Sequence, residues 1–157
     1  MAESIATVRW ERGTQDFRGL RYSRRHRWSF DGGIEVPASS SPGVVRVPLS
    51  DPAAVDPEEA FVASLASCHL LSFLWLAAKG GFVVDSYADD AVGVLTPLEG
   101  GRMWVSTVTL RPRVKFAEGA APDAARFAEL HRRAHEECFI ANSVRTEVRC
   151  EPAMEPG

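Results

Sequence analysis

Apolar and polar positions trade places every second residue along the early part of the chain. Ile5, Thr7 and Arg9 oppose Ala6, Val8 and Trp10, which reads as a first strand. Gly13-Thr-Gln-Asp16 interrupts it. From Phe17 to Phe30 the alternation returns, with Tyr22, Arg24, His26, Trp28 and Phe30 on one face and Ser23, Arg25, Arg27 and Ser29 on the other. Asp31-Gly32-Gly33 is a turn signal, and Ile34–Val36 a short strand before a proline- and serine-rich loop.

The period then changes. Asp56-Pro57-Glu58-Glu59 combines an N-cap residue, a proline at the first helical position and a glutamate three residues after the cap. Nineteen residues without a formal charge follow, Ala60 to Ala78, and Lys79-Gly80-Gly81 supplies a terminal cation and a C-cap glycine. The length brushes that of a membrane span. Ser64, Ser67, Cys68, His69 and Ser72 argue instead for the buried central helix of a soluble fold. Strands are expected over 82–120, with turns at 97–101 and 119–123. Phe127, Leu130, Ala134, Cys138 and Ala141 then form one apolar stripe of an amphipathic helix. Thr146 to Cys150 reads as a last strand. The order predicts an α+β fold of antiparallel sheets around a long buried central helix. One domain is expected over 1–157: N-terminal strands and loop 1–55, central helix 56–80, strands 82–120, second helix 122–144 and last strand 146–151.

Composition narrows the function. The 157 residues are 45% apolar and 25% charged, ordinary for one globular domain. With 18 Lys and Arg against 21 Asp and Glu, the net charge of −3 disfavours nucleic acid and anionic membrane surfaces as partners. Three cysteines do not make a secreted disulfide framework. The N-terminus lacks a basic segment followed by an apolar one, so a reducing cytoplasm is the expected compartment.

The cysteines are therefore expected to be thiols. Cys68 lies midway along the apolar helix and Cys138 on the inward stripe of the amphipathic one. Buried cysteine is commonly a small hydrophobe, and Cys150, on an edge-like strand, is read that way. A reactive thiol needs more, because a free one near pKa 8.5 is only about 3% thiolate at pH 7. A guanidinium would help. Arg25 and Arg27 read as solvated, whereas Arg24 shares a face with aromatic residues and needs a carboxylate partner, for which Glu58 is a candidate. Cys68-His69 with His135 and Cys138 suggests a zinc site. Adjacent residues on a helix point about 100° apart, however, and no metal is expected.

The stretches Asp56-Pro-Glu-Glu-Ala-Phe-Val-Ala-Ser-Leu-Ala-Ser-Cys-His69 and Ala134-His-Glu-Glu-Cys-Phe-Ile-Ala-Asn-Ser-Val144 resemble the two cysteine-bearing helices of the OsmC/Ohr superfamily, the osmotically induced and organic hydroperoxide resistance proteins. Tyr22 to Gly33 resembles a strand of an OsmC-like subgroup. The resemblance implies an intertwined homodimer with active sites at the subunit interface. It implies a thiol peroxidase in which Cys68 is oxidised by an organic hydroperoxide and Cys138 resolves the sulfenic acid as a redox-active disulfide. Glu58 and an arginine would hold the thiolate, and a dithiol such as a lipoyl protein would reduce the disulfide without a cofactor. The family's Gly-Gly-Arg turn is replaced here by Trp10-Glu11-Arg12-Gly13. Arg12, Arg24 and Arg25 are then the candidates for the activating guanidinium. Phe61, Leu65, Phe73 and Trp75, with Trp28 or Phe30, are candidates for an apolar substrate pocket or for plain core. The alternative to turnover is a redox-sensing or small-molecule-binding protein built on the same cysteines.

Overall fold

A computed structural model describes residues 3–156. The elements are β1 (Ala6–Arg9), β2 (His26–Phe30), β3 (Glu35–Ala38), α1 (Pro57–Lys79), β4 (Val84–Asp89), β5 (Val92–Pro97), β6 (Met103–Leu110), β7 (Pro112–Phe116), α2 (Ala124–Glu137), β8 (Glu147–Cys150) and β9 (Ala153–Met154), with a 3-10 turn at Ala141–Ser143. The class is α+β. The chain divides into two compact units, Met1–Ala60 and Phe61–Gly157, with α1 starting in the first and continuing through the second.

In the first unit β1, β2 and β3 form an antiparallel sheet in which Val8 opposes Trp28 and Trp28 opposes Val36. The second strand is much shorter than the alternation over 17–30 suggests. Residues 10–25 are a folded loop in which Trp10 Nε1 donates to the Ser23 carbonyl at 2.8 Å and Trp10, Phe17 and Tyr22 pack ring on ring, their centroids 4.7–5.8 Å apart.

The start of α1 follows from its sequence. Asp56 Oδ1 accepts from Glu59 N–H at 2.8 Å, and Glu59 Oε2 accepts from Asp56 N–H at 3.1 Å, a reciprocal capping box. At its end Phe82 N–H bonds the Ala77 carbonyl and Gly81 N–H bonds Ala78, with Gly81 at φ +82. That Schellman turn needs a left-handed residue, hence glycine. By length and composition alone α1 could cross a membrane. Its Leu65, His69, Phe73, Leu76 and Ala77 are instead buried in the second unit, while Leu71, Leu74 and Trp75 remain exposed. The helix is thus buried along one stripe in the single chain, not all round.

Two three-stranded sheets complete the second unit, ordered β4-β7-β9 and β5-β6-β8. They are mixed rather than purely antiparallel. β8 runs parallel to β6, and β9 parallel to β7, because α2 lies between the partners and carries the chain back to its starting end. One core cluster joins Phe73, Leu76, Val114, Phe127 and Leu130; a second joins Leu65, Val108 and Leu110. α2 opens with Asp123 accepting from Arg126 N–H at 2.7 Å. It ends at Glu137, short of the expected 144. Cys138 turns extended, and Asn142 Nδ2 caps the Glu136 carbonyl at 2.8 Å.

Candidate functional site

Cys68 precedes the inward residue His69 on α1 and is half-buried; Cys138, the C-cap of α2, is 1% exposed. Seventy residues apart in sequence, the two thiols are neighbours in the second unit, close enough for the Cys68 side chain to act on Cys138. Burial first, and the Cys68 side chain second, push Cys138 up to about 11, with the amides of Ala141 and Ile140 pulling the other way. Ala141 N–H lies 3.4 Å from Cys138 Sγ. The pair is asymmetric: Cys68 is partly exposed, whereas Cys138 is sealed and its thiol is held protonated.

Arg24 and Glu58 also share a place. Both line a cavity of about 510 Å³ in the first unit, walled by Trp10, Phe17, Tyr22 and Val44. No ion pair joins them. The guanidinium lies 3.9 Å from the Tyr22 ring centroid and donates to the carbonyls of Leu20 and Tyr22. Backbone oxygens thus fill the role expected of a carboxylate. Arg25 pairs with Asp51 at 3.2 Å, and Arg12 donates to the Gln15 carbonyl at 3.4 Å. Among the three candidate arginines, only Arg24 lines this cavity.

A family model for OsmC-like proteins matches residues 50–153. The chain belongs to the OsmC-like family. It is similar to an OsmC-like protein of unknown function from Vibrio cholerae, with 51% identity, a TM-score of 0.93, and 97% of this chain and 99% of that one covered. More distantly, an organic hydroperoxide resistance protein from Elizabethkingia anophelis shares the fold at 14% identity and TM-score 0.69, covering 100% of this chain and 98% of that one. The organic hydroperoxide resistance protein OhrB of Bacillus subtilis does so at 17% identity and TM-score 0.65, covering 98% of each. No curated protein sequence matches the chain.

In this OsmC-like chain the apolar candidates divide. Leu65 and Phe73 are core, Phe61 packs against it, and Trp75 is exposed beneath Lys79. Trp10 and Phe17, not singled out from sequence, line the cavity instead. Of the residues Cys68, His69, His135 and Cys138, Cys138 neighbours Cys68, and only His69 belongs to a cluster of ligand-type side chains among the described residues. A different cluster does form. His69 Nε2 is 3.0 Å from His131 Nδ1, and Cys150 Sγ is 3.6 Å and 3.9 Å from those two nitrogens. Burial holds His69 down at about 4 and His131 at about 3, each helped by a neighbouring histidine, and pushes Cys150 up to about 12. The sequence alone does not single out His131, and it reads Cys150 as a small hydrophobe. The available signal was a histidine on the inward face of α2, four residues after Phe127.

Proposed function

We propose that this OsmC-like protein is a thiol-dependent peroxidase acting on organic hydroperoxides, with Cys68 as nucleophile and Cys138 as resolving thiol. The observation that carries this reading is the unequal exposure of two adjoining sulfurs. Cys68 is half-buried and open to a peroxide, whereas Cys138 is sealed and adjoins Cys68. The Cys68 thiolate attacks the distal oxygen of ROOH; the O–O bond breaks and RO⁻ leaves, taking a proton to become the alcohol. Cys68 is then a sulfenic acid. The Cys138 sulfur attacks it, forming the disulfide and expelling the hydroxyl as water. An external dithiol, a lipoyl group for example, returns both cysteines to thiols by exchange and becomes a disulfide itself.

Arg24 and Glu58 are the proposed partners of the thiolate, in an apolar cavity suited to an organic tail. Glu58 and Cys68 are ten residues apart on one helix, about 15 Å of rise. A Glu58 carboxylate beside a Cys68 thiol therefore belongs to a second copy of the chain, which supports a homodimeric active site. The exposed apolar stripe Leu71, Leu74 and Trp75 is consistent with such a partner.

The test is consumption of an alkyl hydroperoxide with a dithiol reductant. Cys68→Ser is expected to abolish turnover, and Cys138→Ser to consume about one peroxide per chain and stop. Full activity in Cys68→Ser would end the proposal. The alternative, a redox sensor, is favoured by the Arg24 guanidinium being occupied by backbone carbonyls. It predicts stoichiometric formation of the Cys68–Cys138 disulfide with no sustained consumption under the same reductant.

A further inference from the structure

The cluster at the junction of α1, α2 and the end of β8 has no part in the thiol chemistry above, and its composition is unusual for a core. His69 is 1% and His131 3% exposed, stacked with a centroid separation of 5.3 Å, and His131 also stacks on Phe73 at 4.2 Å. One hydrogen bond joins the rings. It leaves His69 Nδ1 and His131 Nε2 buried without a partner. Two imidazoles and a thiol held among phenylalanines by so little hydrogen bonding call for a reason.

We propose that His69 Nε2, His131 Nδ1 and Cys150 Sγ form a zinc site whose fourth position opens to water. A tetrahedral ion with bonds of about 2.05 Å to nitrogen and about 2.3 Å to sulfur sets its ligands about 3.3 Å apart for N···N and about 3.6 Å for N···S. The observed separations are 3.0, 3.6 and 3.9 Å, so one ion reaches all three atoms with shifts of a few tenths of an ångström. The donor set, two imidazoles and a thiolate, suits a borderline-soft ion and not magnesium or calcium. The site has an entrance. His131 and Cys150 line a cavity of about 340 Å³ with His135, Glu136 and Pro152. The carboxylates of Asp89 and Glu151 act on Cys150 from nearby, a negative field that favours a cation. Binding replaces the proton shared by the two rings, which moves to a distal ring nitrogen. It also releases the Cys150 thiol proton to solvent, one proton per ion.

The other thiols must be removed to read this site alone. The Cys68→Ser/Cys138→Ser chain, reduced and stripped with a chelator, is titrated with Co²⁺ and then Zn²⁺. A sulfur-to-cobalt charge-transfer band saturating at one ion per chain and erased by zinc supports the proposal. Adding Cys150→Ser is expected to abolish the band. Losses of about 10- to 100-fold follow removal of mere supporting residues around metals, so His131→Ala is expected to weaken zinc binding by at least about 100-fold. No band, or a band that survives Cys150→Ser, overturns the proposal. Should these variants fail to fold, X-ray absorption of zinc-loaded wild-type chain decides. Two imidazoles with one sulfur support the site, whereas two sulfurs or an all-oxygen shell overturn it.

Discussion

Acid should unfold this protein by a route that the buried histidine pair determines. Both rings are neutral in the folded state, held at about 4 (His69) and about 3 (His131) chiefly by burial. In the unfolded chain each titrates near 6.5. As the pH falls through that value the unfolded state takes up two protons that the folded state refuses, so stability is full above 6.5 and declines below it, down to the folded values. At pH 5 the loss is set by the unfolded value alone, because both folded values lie lower. It is about 1.5 pH units at 1.36 kcal/mol per unit, or about 2 kcal/mol per ring. The pair together costs about 4 kcal/mol, a large share of a typical total of 5–15 kcal/mol. The assay is guanidinium unfolding followed by tryptophan fluorescence at pH 7.5, 6.5, 5.5 and 5.0. Protomer concentration is held fixed, and a chelator keeps metals off the rings. His131→Phe, which keeps a ring against Phe73, should halve the acid loss to about 2 kcal/mol. Stability that is equal at pH 7.5 and 5.0, or an acid loss unchanged in His131→Phe, would refute the reasoning.

Other changes test the packing. A methyl group at Gly93 on β5 would stand 2.6 Å from Val62 Cγ2, a stiff β-branched side chain. Gly93→Ala should therefore cost about 1–3 kcal/mol in chemical denaturation, and Val62→Ala in the same chain should return most of it. Asp56→Ala removes one arm of the capping box and should cost about 1 kcal/mol, read as a lowered denaturation midpoint with an unchanged slope. Leu71 and Trp75 are 67% and 55% exposed on α1. If that stripe faces a second subunit, Leu71→Asp/Trp75→Asp should shift the sedimentation profile from dimer towards monomer, and an unchanged profile would remove the stripe from the interface.

What could be read from the chain depended on how far apart the interacting residues lie. The capping box at Asp56 and Glu59 and the glycine turn after Lys79 close within one or two helical turns, so their residue types alone specify them. The alternation through Tyr22 and Arg24 misled, because the bond from Trp10 to the Ser23 carbonyl pins this stretch as a loop in which Tyr22, Ser23 and Arg24 are all half-buried, and the strand begins only at His26. The parallel pairing of β6 with β8 depends on a crossover through α2, a property of the whole path rather than of either strand. The cysteines make the sharpest case. Cys68 and Cys138 were legible as a pair because each sits beside a recognisable helix motif. Cys150 reads from sequence as a small hydrophobe because nothing within ten residues of it shows what it meets. Its neighbours His69 and His131 are 81 and 19 residues away, brought to it by three separate elements. A thiol's chemistry is set by the groups within about 4 Å of its sulfur, and those are fixed by tertiary folding. On that reasoning a polar residue on the apolar stripe of a helix, as His131 is on α2, is the feature that should have prompted a search for distant partners.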